Sequence, residues 1–383
     1  MIFICTQRQD LKKWKLRNKI QTILLSFGIE QEDIKIWAKT GLVVDIKGTA
    51  AEINDGECNM IAYRADMDAL PMIEETQLEY KSVNGNAHMC GHDGHMATLV
   101  ATAQFWALHR EKIPKNKTIR LLFQPAEEAE GGAVVMIEEG CLEGVDEVYG
   151  YHNAPFGYEG SISIKPGPIM AGGAWVHIII EGQGGHGSEP AKSIDPITAA
   201  CQVHNALHTI KSRKLLNTDV LAFTICKFTS GTTDNVIPRT ATMSGTFRFF
   251  DDNVRDLATE KIKQITQSVS EAFDCKSTVD VFGEYPPVIN HDKQAELVSK
   301  IAKECLGKEN VNEKQHLPWF AGEDFWYFLH KKPGAFILLN NIKFGEEPLS
   351  LHSPFMDFND NIIATGAYLN IKISEDRLGI SLL

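Results

Sequence analysis

The sequence predicts an α/β protein in which a smaller β-α-β-β-α-β domain interrupts a larger, discontinuous one. Two patterns carry that expectation. In the first part of the chain, short apolar runs alternate with amphipathic stretches of helical period, as in strands and helices layered around a largely parallel sheet. Between residues 173 and 285 the order changes to strand, helix, two strands, helix and strand, the split β-α-β arrangement. The expected boundaries are 1–172 with 286–383 for the larger domain and 173–285 for the inserted one.

Met60 to Tyr63, Ile119 to Phe123 and Val145 to Tyr151 read as buried strands. Gly94 to Arg110 and Gly131 to Glu139 read as the helices between them, the second closed by Gly140. In the inserted region Ala174 to Glu181 reads as a strand. Asp195-Pro196 then opens a helix to about Lys214, with proline at its first position. Strands near Val220 to Phe228 and Thr240 to Phe250, a helix from Asp252 to Phe273 and a strand near Thr278 to Phe282 complete it. From Pro286 the α/β pattern returns, with a helix near Lys293 to Cys305 and a strand at Ala335 to Leu339.

The chain has 383 residues, 43% hydrophobic and 23% charged, which suits two globular cores and no fibrous or disordered class. Acidic residues outnumber basic ones by 50 to 38, so the sequence predicts no nucleic-acid partner. Its longest apolar runs, such as Ile178 to Ile180 and Ile337 to Leu339, fall far short of the roughly 18 residues that span a bilayer. No membrane association is expected. Met1 to Cys5 is apolar but too short for a signal-peptide core. Eight scattered cysteines without a C-x-x-C pair argue for a reducing, cytoplasmic setting.

The densest polar cluster runs from His88 to His95, with His88, Cys90, His92 and His95 set among glycines at a helix start. Imidazole and thiolate at this spacing suit a metal. Cys90 and His92, two residues apart, point the same way in an extended or looped segment. A second cluster, Gln124 to Glu128, directly follows the apolar run Ile119 to Phe123. Functional groups gather at the carboxyl ends of parallel strands. Two adjacent carboxylates there divide labour, one ligating metal and the other taking a proton from the attacking water. The same placement applies to Asp66 and Asp68 after one strand and His152 at the end of another, while His352 lies on a Pro-punctuated loop. This mixture of donors suits Zn, Mn or Co better than Ca or Mg.

In these segments the chain resembles the M20 metallopeptidase and amidohydrolase family, in its branch of N-acyl amino acid amidohydrolases. The matching segments are Arg64 to Pro71, His88 to His95, Gln124 to Glu128, Gly150 to Pro155 and Gly184 to His186. Asn235 to Pro238, Gly322 to Phe325 and Leu351 to Pro354 follow in the family's order. The resemblance implies a zinc-peptidase-like α/β catalytic domain carrying a ferredoxin-like lid that mediates dimerisation. It implies two divalent metal ions held by Cys90, His92, Glu128, His152 and His352, with Asp66 and Asp68 in support. Glu127 would be the general base, and His186 would reach a partner subunit's site to stabilise the oxyanion. Asn235 and Arg248 would bind the carboxylate of a small N-acyl amino acid. Arg248, in a strand with apolar neighbours, reads equally as a structural ion-pair partner.

The start departs from the family. Thr6 to Lys13 lacks the Arg-rich, Pro-Glu-containing helix usual there, so the lineage has diverged or the start is incomplete. Three readings stay open: an N-acyl amino acid amidohydrolase, a dipeptidase or carboxypeptidase of the same clan, and a catalytically dead metal-binding protein. Retention of both Glu127 and Glu128 speaks against the third.

Overall fold

A computed structural model describes residues 3–54, 56–128 and 131–382, with side chains described from residue 14 onward. The chain forms two compact units. The first holds Met1–Ile169, Ile289–Leu317 and Asp324–Leu383, and the second holds Met170–Val288 and Pro318–Glu323. Residues 318–323 thus belong to the second unit, although the sequence there lies well beyond its last strand.

In the first unit a helix, α1 (Phe3–Ser26), precedes β1 (Ile34–Trp37), β2 (Gly41–Lys47) and β3 (Met60–Asp66). Then come α2 (His92–Leu108), β4 (Thr118–Gln124), α3 (Gly132–Glu138) and β5 (Glu147–Tyr158). The sheet order is β1-β2-β4-β3-β5, continued by Gly334–Ile342, Ile162–Ser163 and Val311–Asn312. The four central strands, β4, β3, β5 and Gly334–Ile342, run parallel, while β1 and β2 are antiparallel edges. Strand β3 passes to β4 on one side, and β4 then crosses back over β3 to β5. Crossovers in opposite directions leave a crevice at the carboxyl ends of these strands.

Burial explains the near-continuous apolar runs. Positions 61–66 of β3 and 119–124 of β4 are all buried, as expected where helices cover both faces of a parallel sheet. Trp106, Tyr63, Phe123 and Tyr149 anchor the core. Arg377, 4% exposed, closes one side of it through paired bonds to Glu147, Nε to Oε2 at 2.8 Å and Nη2 to Oε1 at 2.7 Å. Tyr149 and Gln294 donate to the same carboxylate, so this buried charge pair has the extra hydrogen bonds it needs. Arg377 lies on the last helix, Asn361–Leu378, which packs on α2 and which the sequence reading had not marked out.

The second unit follows the β-α-β-β-α-β order. Its sheet is antiparallel, in the order Leu221–Ser230, Thr240–Phe249, Gly172–Glu181, Lys276–Tyr285. Val176, Ile178 and Ile180 alternate inward against Ala199, Val203, Ala258 and Ile262 of its helices. The single helix expected from Pro196 to Lys214 is two, Pro196–Leu207 and Ile210–Lys214. Thr209 breaks it: its N–H and its hydroxyl both bond the Ala206 carbonyl, closing a turn that the α-helical ladder cannot pass through. Among the described residues no helix is long and apolar enough to cross a membrane.

Candidate metal centre

Five segments of the first unit bring their donors together around the carboxyl ends of the parallel strands. Asp66 closes β3, and Asp68 follows it. Cys90 ends the next loop and His92 opens α2, two residues before the expected helix start. Gly91 between them makes this possible. Its φ of 93° is left-handed, and a Cβ there would meet Asn153 Oδ1 at 2.4 Å. Glu127 and Glu128 follow β4 after Ala126, whose φ of 59° turns the chain sharply. His152 lies inside β5, which is longer than the sequence suggested and pairs His152 with Leu338. His352, also left-handed at φ 63°, is fixed by its N–H on the Met89 carbonyl. Two non-glycine residues in this region within one site mark stored backbone strain.

These segments bring the five expected metal ligands together. Cys90 Sγ lies 3.4 Å from His152 Nε2 and 3.3 Å from His352 Nε2. Glu128 Oε1 is 3.1 Å from His352 Nε2 and 4.0 Å from His92 Nε2. Glu127 joins His92 and Glu128 with donor atoms within 4.8 Å of one another. The tautomers are set from behind. His152 Nδ1 donates to the Asn153 carbonyl at 2.8 Å, and His92 Nδ1 donates to that of Asp68 at 3.2 Å. Both Nε2 atoms are thereby turned into the cluster as acceptors, the arrangement that metal-binding histidines need. His92 Nε2 is buried without a hydrogen bond. Such an atom is costly unless a further group satisfies it. Three imidazoles, a thiol and carboxylates around an orphaned imidazole nitrogen fit a divalent metal.

Electrostatics point the same way. Burial presses on His92, but Asp66, Asp68 and Cys90 override it and hold the imidazole well above its ordinary value. Hydrogen bonds to Cys90 and Glu128 push His352 up to about 10. Burial raises the Cys90 thiol. Burial and the neighbouring His95 hold His152 well below the usual histidine range. The cluster therefore takes protons where it lacks other positive charge.

His95 and Asn153 were left without a role by the sequence reading. His95 lies one turn beyond His92 on α2, and that spacing was the available signal. Its Nδ1 meets Asp66 Oδ1 at 2.5 Å and its Nε2 meets Asn153 Oδ1 at 2.7 Å, so both nitrogens are engaged and neither is open to an ion.

The other three expected site residues lie in the second unit. His186 and Val236 face each other across a two-stranded ribbon, and Asn235 accepts from the Gly187 N–H at 2.9 Å. His186 is exposed, with Ser188 Oγ 2.8 Å from its Nδ1. Arg248 lies on the strand Thr240–Phe249, its guanidinium 5.7 Å from the Trp175 ring and 5.8 Å from the Tyr285 ring. It forms no ion pair among the described residues, and its Nη1 bonds Thr246 Oγ1 and the Phe247 carbonyl.

Comparison with known proteins places this geometry. The pattern of peptidase family M20/M25/M40 matches residues 62–375. Hippurate hydrolase of Campylobacter jejuni is 37% identical over 355 residues, covering 92% of this chain and 88% of that protein. An N-acetyl-L-cysteine deacetylase of Bacillus subtilis is 37% identical over 331 residues, covering 86% and 76%. Among solved structures, a dinuclear metal-binding peptidase of family M20 from Bacillus subtilis superposes with a TM-score of 0.79. It is 30% identical, covering 96% of this chain and 93% of that one.

Metal uptake should release protons. At neutral pH the metal-free chain holds protons on His352, pushed up to about 10, and on the Cys90 thiol, which burial raises from its ordinary value. His92 is held well above the ordinary histidine value. Ligation must displace the protons these groups carry. Adding Mn or Zn to metal-free protein in dilute buffer at pH 7 is expected to release at least about two protons per chain, read with an indicator dye. His352→Ala should lower that number by about one. Uptake without proton release would contradict the assignment of these three groups.

Proposed function

The chain belongs to peptidase family M20/M25/M40, and from that membership we propose that it is a metal-dependent amidohydrolase of N-acyl amino acids. It would cleave an acetyl-, benzoyl- or indoleacetyl-type amide into a carboxylic acid and a free amino acid. One observation supports the reading: the five expected ligand side chains and the adjacent carboxylate of Glu127 lie close together beyond the strand ends. Relatives named for hippurate and N-acetylcysteine give the substrate class.

Cys90, His92, Glu128, His152 and His352 would hold two divalent ions, Mn, Zn or Co. Bound there, the ions would supply Lewis acidity that polarises the carbonyl and eases loss of a proton from the attacking water. The chain's own residues do the rest. Glu127 accepts one proton of the attacking water as its oxygen bonds the acyl carbon. As the C–N bond breaks, Glu127 passes that proton to the leaving nitrogen. His186 donates to the oxygen that becomes negative, the task of an oxyanion-hole donor. Asn235 and Arg248 hold the substrate's carboxylate. Among the described residues the Arg248 fork has no acidic partner, which suits paired bonds to a carboxylate.

A homodimer in a reducing compartment, the cytoplasm, belongs to the same reading. The strand Leu221–Ser230 ends its sheet, and Phe228 on it is 41% exposed. An open edge of this kind is a template for pairing with a second copy. The seven described cysteines are all free, as a reducing setting would keep them.

Glu127→Gln keeps side-chain volume but removes the proton acceptor. Turnover of hippurate or N-acetylcysteine should fall at least about 10²-fold while metal content stays at the wild-type level. Loss of metal from Glu127→Gln with retention in Glu128→Gln would reverse the two roles. Inclusion of plain dipeptides in the same assay tests the substrate class, since faster cleavage of those would favour a peptidase. His186 is tested by mixing two inactive variants. If it serves the partner's site, mixed dimers of His186→Ala and Glu127→Gln contain one intact site of two. Random exchange then restores roughly a quarter of wild-type activity. Mixed dimers that form and remain inactive would exclude a role in trans.

A further inference from the structure

Beneath the donor cluster lies a buried polar hub that the reaction as derived does not use. Arg64, on β3, has a side chain fully excluded from solvent. Its three arms reach three different segments. Nη1 donates to Asp66 Oδ2 at 2.7 Å, Nη2 to Asp324 Oδ1 at 2.8 Å and Nε to Gln124 Oε1 at 2.8 Å. Gln124 Nε2 closes the ring by donating to Asp324 Oδ2 at 2.7 Å. That same oxygen accepts the Ala133 N–H at 3.2 Å, at the start of α3. Glu127 and Glu128 lie between Gln124 and Ala133, so both ends of their turn are tied to Arg64 and Asp324.

The other end of the hub reaches His92. Asp66 Oδ2, bound by Arg64, lies 3.6 Å from His92 Nε2, while Asp66 Oδ1 is taken by His95. Each Asp66 oxygen already has a donor, so Asp66 stands beside the cluster as a fixed negative charge and not as a free ligand. Without Arg64 the buried Asp66 and Asp324 carboxylates would lack their common counter-charge, and neither would keep its position. A planar guanidinium directs donors from three separate nitrogens to three separated partners; the three donors of an ammonium radiate from one atom and do not span them.

We propose that Arg64 is a positioning residue for the metal centre. It fixes Asp66 alongside His92 and, through Gln124 and Asp324, fixes the turn that carries Glu127 and Glu128. Both halves of the donor set are thereby held in one register from a single buried cation. The inference rests on the metal-centre reading above and adds a residue to it.

Cobalt(II) is the probe, because its visible spectrum reports ligand geometry and thiolate coordination directly. The variants are Arg64→Lys, which keeps the charge and loses the fork, Asp66→Asn, and the double variant. Arg64→Lys is expected to fold, by far-UV circular dichroism, yet to bind Co(II) about 10–100-fold more weakly with altered visible bands. Asp66→Asn should weaken binding in the same range. The double variant should be little worse than the weaker single one, because both changes remove one linked interaction. Wild-type affinity and spectrum in Arg64→Lys, with only a lowered melting temperature, would make Arg64 a structural ion-pair residue and overturn the proposal. Fully additive losses would overturn its route through Asp66.

If Arg64→Lys fails to fold, Asp66→Asn and Asp324→Asn decide the matter. Both should weaken Co(II) binding, and wild-type binding by either one overturns the proposal. The wild-type protein separates the two levels. No cobalt binding by the wild type defeats the metal-centre reading itself, whereas cobalt bound equally by wild type and variants defeats only the role of Arg64.

Discussion

Crowding of electron-rich donors in a buried space is the constraint on which the rest of this structure depends. Cys90 meets His152 at 3.4 Å and His352 at 3.3 Å, and His352 meets Glu128 at 3.1 Å, with His92 and Glu127 alongside. Such a group is unfavourable unless positive charge enters it. The raised His92 and His352 values are one answer, in which protons supply the charge. A metal ion is the other, and it would also satisfy the orphaned His92 Nε2. Reactivity and local instability have the same origin here.

The fold supports that concentration by placing costs elsewhere. Parallel strands buried on both faces give a stiff platform, and their carboxyl ends present donors from non-adjacent parts of the chain. Behind the donors, several supporting polar groups are engaged: His92 and His152 on backbone carbonyls, His95 between Asp66 and Asn153, and Asp68 Oδ2 on the Glu128 N–H. Left-handed Ala126 and His352 show where the backbone yields to keep those side chains in place. Rigidity at the back and an unsatisfied atom at the front together make a preorganised site.

Much of this was legible in the sequence, for physical reasons. Alternating apolar runs encode a two-sided sheet, Cys90 and His92 lie in a glycine-punctuated segment and Glu128 follows an apolar run, while the full ligand set with His152 and His352 is what the family resemblance implies. What stayed hidden depends on contacts distant along the chain. Arg64 and Asp324 are 260 residues apart, and no local pattern links them. His95 was visible as a histidine, but only coordinates show that both its nitrogens are occupied. The break at Thr209 was missed because a hydroxyl competing for one carbonyl leaves the helical period intact. Segment 318–323 was placed with its sequence neighbours because nothing local marks a return to another unit.

X-ray absorption at the metal edge tests the central claim most directly, because it sees the ion's neighbours without reference to activity. With Zn or Mn loaded, a centre built on Cys90 and the histidines should show sulfur together with imidazole nitrogen in the coordination sphere. It should also show a second metal at roughly 3.5–4 Å. The sulfur contribution should vanish in Cys90→Ser. A spectrum of light-atom scatterers alone in the wild-type protein, with no metal neighbour, would contradict a dinuclear centre at this crevice.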